Sequence, residues 1–77
     1  MESASEARKI FATNLARLLK SSPDINLKKV SDKSGISYNY LSSVKGGKEN
    51  ITVDNMDKIA DAMGLPLYVL LLPEEEQ

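Results

Sequence analysis

The chain has 77 residues with no Cys and no His, and 10 Lys and Arg against 11 Asp and Glu give a net charge of −1. That excludes a disulfide framework, Cys/His zinc sites, Cys nucleophiles and His-based triads, and it leaves room for one small domain with a marginal core. With three Tyr, one Phe and no Trp, an aromatic stacking platform for single-stranded nucleic acid is not expected either. No Walker-type phosphate loop and no metal cluster are present, so neither an enzyme, a cofactor nor a small-molecule ligand is expected. Met1-Glu2-Ser3 is acidic and lacks a following apolar run, and the longest apolar run, Leu65 to Leu72, is interrupted by Pro66. Neither reads as a secretory signal or a membrane span, so a cytoplasmic protein is expected, with no membrane partner.

In chain order, Ser3 and Glu6 have the spacing of a capping box and open a helix to about Lys20. Its apolar stripe is Ala7, Phe11, Leu15 and Leu18, widened by Ile10 and Leu19. Ser21-Ser22-Pro23-Asp24 is a breaker cluster. Asn26 can cap a second helix that ends at Gly35, and Ser37 a third that stops at Gly46-Gly47. Gly35 supplies the positive φ of a sharp turn, and Ser31 is small where the two helices approach. Val30, Ile36, Leu41 and Val44 face inward, which leaves Tyr38, Asn39, Ser42 and Ser43 outward.

Beyond a polar loop with Ile51 turned inward, Thr52 or Asp54 opens a fourth helix. Met56, Ile59, Ala60 and Met63 stand on one face of it and Gly64 closes it. Pro66 suits the first turn of a short last helix, Leu67 to Leu72, followed by an acidic tail over 73–77. No run alternates with period two. The expectation is a single all-α domain over 1–77, a bundle of about five helices with a helix-turn-helix at about 27–45. Charge is segregated along it: residues 26–50 carry +3, residues 51–77 carry −5 and the first 25 carry +1. A basic segment in a mildly acidic chain fits a nucleic-acid face, though an ordinary solvated surface has the same composition.

These residues resemble the lambda-repressor-like (Cro/cI, or XRE-family) helix-turn-helix regulators. The resemblance runs from about Asn14 to Leu71. It is carried by Val30-Ser31, Gly35-Ile36-Ser37, Leu41, Val44, Gly47-Lys48, and the closing Ile59-Ala60-Asp61-Ala62-Met63-Gly64-Leu65-Pro66-Leu67 with Leu70-Leu71. It implies a DNA-binding transcriptional regulator whose third helix enters the major groove. Five features depart from the pattern. Leu27 replaces a frequent Gln that contacts phosphate; Ser34 stands at a more often apolar position, where its hydroxyl can bond back to its own helix. Lys45 replaces a frequent acid, the first loop is about one residue longer, and Tyr68 and Val69 stand at commonly acidic positions.

The same resemblance places Ser37 near phosphate and Tyr38 and Asn39 over base edges, with Ser42 and Ser43 one turn further on. Asn39 is the strongest candidate for readout, since its amide can pair with adenine N6 and N7 together. Ser42 and Ser43 are permissive base contacts. Tyr40 either donates to phosphate or covers the helix edge. Lys48 follows two glycines whose backbone N–H groups, with the lysine, suit a phosphate. Lys28 and Lys29 lie near a helix N-terminus, where cations are mildly unfavourable, which fits a partner anion or a solvated face equally well. Tyr68, Val69 and Leu72 would emerge from the last helix as an apolar patch, the expected interface of a homodimer over a pseudo-palindromic operator. A phage or mobile-element repressor is the leading expectation. A restriction–modification controller protein, and an antitoxin or protein-interaction module on the same fold, are the alternatives.

Overall fold

The computed structural model describes residues 2–73, and the helices among them are α1 (Glu2–Ser21), α2 (Leu27–Ser34), α3 (Tyr38–Lys45), α4 (Val53–Ala62) and α5 (Leu67–Leu70). Three expected caps close their helices. The side-chain oxygens of Asn26, Ser37 and Thr52 accept from the backbone N–H groups of Lys29, Tyr40 and Asn55, at 2.8, 3.1 and 3.1 Å. Each satisfies a donor that the first turn would otherwise leave orphaned. The helix ends differ from expectation at two places. α1 already includes Ser3, so it starts ahead of the capping box. α5 stops at Leu70 rather than Leu72, with Pro66 as its cap rather than in its first turn. The tail at Glu74–Gln77 lies outside the described residues.

α2 packs on α3 and α4, α1 on α3 and α5, and α4 on α5. Phe11 and Leu15 of α1 meet Leu27 and Val30 of α2, Leu41 and Val44 of α3, and Leu70 of α5 in one core. Met56, Ile59, Ala60 and Met63, the predicted face of the fourth helix, complete it. Full burial of a Leu, Ile or Phe side chain is worth roughly 1.5–3 kcal/mol of transfer free energy. Ala7, expected in the stripe of α1, is exposed, and Leu18 and Leu19 are half-buried. A single methyl carries too little apolar area to draw a partner to the outer turn.

One polar side chain sits in this core. Asn14 is 1% exposed, and its Nδ2 donates to the carbonyls of Leu70 and Leu72, both at 2.8 Å. Its Oδ1 accepts from Arg17 Nη2 at 3.1 Å. A four-residue helix cannot hold itself together, and its last carbonyls have no helical partner. Asn14 supplies donors from α1 to the carbonyl of Leu70 and to that of Leu72 just beyond the helix, and so ties the exit of α5 back to α1. Asn14→Ala should lower the unfolding free energy by about 1–3 kcal/mol, because it leaves those carbonyls short of donors. Urea denaturation followed by circular dichroism measures this, and a midpoint equal to that of the parent protein would show that the clamp carries no stability.

Candidate nucleic-acid interface

The interface begins at the turn between α2 and α3. Gly35 has φ 77° and ψ 8°, and its N–H donates to Ser31 O at 2.9 Å. A Cβ there would meet no atom within 4 Å, so the left-handed backbone and not lack of space requires glycine. The next residue is held from both sides. Ile36 N–H donates to Ser34 Oγ at 3.2 Å, and Ser31 Oγ donates to Ile36 O at 2.6 Å. Ser31 is therefore a tether as well as a small residue. The Ser34 hydroxyl, which could bond back into its own helix, accepts instead from across the turn. With the Ile36 side chain packed against the core and Ser37 capping α3, the start of the third helix is fixed relative to the second.

Helical geometry then sorts the side chains of α3. Leu41 and Val44 are 0% and 1% exposed and define the inward direction. Tyr38, Asn39 and Ser42 lie on the opposite arc and are exposed, with Ser43 half-buried at its border. The side chains of Tyr38, Asn39 and Ser42 have no hydrogen-bond partner among the described residues, so their polar groups remain available to a ligand. The arc is thus a rigid helix face with unengaged donors and acceptors.

The residues read as phosphate contacts fare differently. Ser37 Oγ accepts from Tyr40 N–H, which leaves its proton free to donate outward. Lys28 pairs with Asp32 at 3.6 Å in an exposed i,i+4 pair, a surface contact of little energetic weight. Lys29 Nζ donates to Asp24 O at 3.1 Å. The two first-turn lysines therefore have partners within the chain, and no bound anion is needed to account for them.

Tyr40 is half-buried against the core, and its hydroxyl donates to Asn50 O at 3.0 Å. Asn50 Oδ1 in turn accepts from Arg8 Nη1. Tyr40 is a strut from α3 through the following loop towards α1, and its hydroxyl is engaged within the chain at the helix edge. A second correction concerns the glycines before Lys48. The N–H groups of Gly46, Gly47 and Lys48 donate to Ser42 O, Val44 O and Ser43 O at 3.1, 2.9 and 2.9 Å. The last two form a Schellman closure with Gly47 at φ 76°. No backbone donor remains there for a phosphate, and only the exposed Lys48 ammonium does.

Leu27 is 8% exposed and part of the core, so the departure at the start of α2 exchanges a polar surface contact for packing. Tyr68 of α5 and Leu72 just beyond it are 66% and 55% exposed, and Val69 is half-buried. Sequence reasoning passed over Asn14, Arg8 and Asn50. The first had a signal: a polar residue on the buried stripe beside Phe11 and Leu15.

Comparison with known proteins agrees with this geometry. The helix-turn-helix family profile matches residues 15–70. The HTH-type transcriptional regulator y4dJ of Sinorhizobium fredii is 34% identical over 71 residues, covering 92% of this chain and 91% of that one. The crystal structure of the hypothetical transcription factor NHTF from Neisseria superposes with a TM-score of 0.79 at 31% identity, covering 91% of this chain and 79% of that one. Control protein C.MunI of a Mycoplasma species is 27% identical over 67 residues, 87% of this chain and 90% of that one. The chain belongs to the helix-turn-helix family of XRE type, and it is a transcriptional regulator of that family rather than an enzyme.

The role found for Tyr40 has a direct check. Tyr40→Phe should cost about 0.5–1.5 kcal/mol of stability and leave affinity for duplex DNA unchanged. Denaturation and fluorescence anisotropy measure the two quantities. A fall in affinity at constant stability would return that hydroxyl to the phosphate contacts.

Proposed function

We propose that the protein is a sequence-specific repressor that binds a pseudo-palindromic site in double-stranded DNA as a homodimer. The observation that carries this reading is the outward arc of α3, whose Tyr38, Asn39 and Ser42 are exposed and unengaged on a helix held at both ends. A helix of this width fits the major groove, where each base pair presents a distinct pattern of donors and acceptors. Asn39 is the principal reader, pairing with adenine N6 and N7. Tyr38 lies against a thymine methyl or a neighbouring edge, and Ser42 and Ser43 make permissive contacts. Ser37 O–H, Lys48 and the outward side of Lys28 meet phosphates, positioning the helix without reading sequence.

The homodimer reading is supported by α5. Tyr68 and Leu72 expose large apolar surface beside the half-buried Val69, at the end of the chain that Asn14 anchors. A two-fold axis through this patch would set two copies of α3 about 34 Å apart, over successive turns of one duplex face. The likeness to control protein C.MunI favours a second reading, in which the chain is a control protein that activates as well as represses. A reporter with the site placed either across or upstream of a promoter separates the two.

Selection of bound sequences from a random duplex pool should recover a two-fold-related motif. On that site Asn39→Ala should relax preference at one base position, at a cost of about 1–3 kcal/mol in discrimination. Lys48→Ala should weaken every sequence alike and make the log–log salt slope shallower by about one. Equal losses on all sequences for Asn39→Ala would reject its reading role. For the dimer, Tyr68→Asp with Leu72→Asp should sediment as a monomer and bind the full site far more weakly; a persisting dimer would place the interface elsewhere.

A further inference from the structure

α1 carries an outward stripe that neither the core nor the recognition arc uses. Lys9, Thr13, Ala16 and Lys20 follow at i, i+4, i+7 and i+11, so they share one face about 16 Å long. That face forms one wall of two adjoining hollows of about 510 and 440 Å³, which share Ala16 and Lys45 and so run together as a trough. The opposite wall is the exit of α3, Lys45-Gly46-Gly47, continued by the cap of α2 at Asn26. Three ammonium groups line the trough and no carboxylate does. Ala12, Thr13, Ala16, Gly46 and Gly47 line one half of it, with Leu19 and Leu27 in the other, so no long side chain but the lysines lines it.

The trough opens onto one edge of α3. Tyr38, Ser42 and Lys45 stand at i, i+4 and i+7, so Lys45 belongs to the same outward stripe as the base-reading candidates and borders it on the α1 side. The other edge is followed by the loop of Lys48 and Asn50, as the bond from Tyr40 to Asn50 shows. A helix lying in a major groove has a phosphate strand along each edge. Lys48 is read above as the contact to one of them. We propose that the trough receives the sugar-phosphate backbone of the other strand, with Lys9, Lys20 and Lys45 as its contacts. This footing adds to the start of α2, where Leu27 is buried and leaves Lys28 as the phosphate contact. The inference rests on the DNA-binding reading above and adds the α1 face to it.

The test is a triple variant, Lys9→Gln, Lys20→Gln and Lys45→Gln, compared with Lys58→Gln on α4. All four side chains are exposed, and unchanged thermal unfolding confirms that the fold is kept. On the duplex recovered by selection, the triple variant should bind roughly ten- to a hundredfold more weakly, with a salt slope shallower by about two to three and base preference unchanged. Lys58→Gln should match the parent. Parent-like affinity and slope in the triple variant, with Asn39→Ala still relaxing base preference, would overturn the trough and leave the regulator standing. A parent protein that prefers no duplex at all would overturn both. Amide shifts at Thr13 and Ala16 that saturate with inorganic phosphate but do not respond to duplex would make the trough a small-anion site, and that too overturns the proposal.

Discussion

Both polar groups of the Ile36 backbone are held by serines of the preceding helix, Ser34 accepting its N–H and Ser31 donating to its carbonyl. A turn between two helices has no repeating ladder to satisfy its peptide groups, and a half-buried group left without a partner costs about 1–3 kcal/mol. Here the two bonds come from side chains one turn apart on α2, and Gly35 supplies the left-handed residue that brings Ile36 within their reach. The direction of α3 is therefore set before its own side chains are considered. Everything proposed for Tyr38, Asn39 and Ser42 depends on that direction, because a rotation of α3 by one residue would carry the readers inward and Leu41 outward.

The same constraint explains why the interface divides its tasks. The inward residues of α3 and the strut from Tyr40 to Asn50 fix the helix from below and from one side. The Schellman closure at Gly47 ends it sharply and leaves a lysine just beyond. What remains free is a narrow polar arc on a rigid element, with cations beside it. A backbone held in this way loses little further freedom on binding, which favours discrimination between bases over adaptable contact. The net charge of −1 hides this arrangement, since the basic residues lie about the helix-turn-helix and the acidic ones on α4 and in the chain beyond.

The helices and most of the core were legible because their signals are local. Asn26, Ser37 and Thr52 cap from adjacent positions, and a 3.6-residue period places Leu41, Val44 and Ile59 without knowledge of the partner helix. Features that rest on long-range partners were not legible. The hydroxyl of Tyr40 looks equally suited to a phosphate and to a carbonyl ten residues away, and only the path of the loop decides. The donors of Gly46 and Gly47 look open in a linear reading but are consumed by the closure of α3. Asn14 pairs across more than fifty residues, so its place on the buried stripe marks a polar group in need of a partner but not which partner it finds. Ala7 and the end of α5 show the opposite error, in which a period extends past the place where packing partners end.

The central claim is that the outward face of α3, oriented by the serine-held turn, is what meets duplex DNA. Amide chemical-shift mapping of the protein titrated with its selected duplex tests this most directly, because it reports every backbone position at once. The account predicts the largest changes over Ser37 to Ser43, with smaller ones at Lys48 and little along α4. Shifts confined to α4 and α5, with Tyr38 and Asn39 unmoved at saturation, would contradict it.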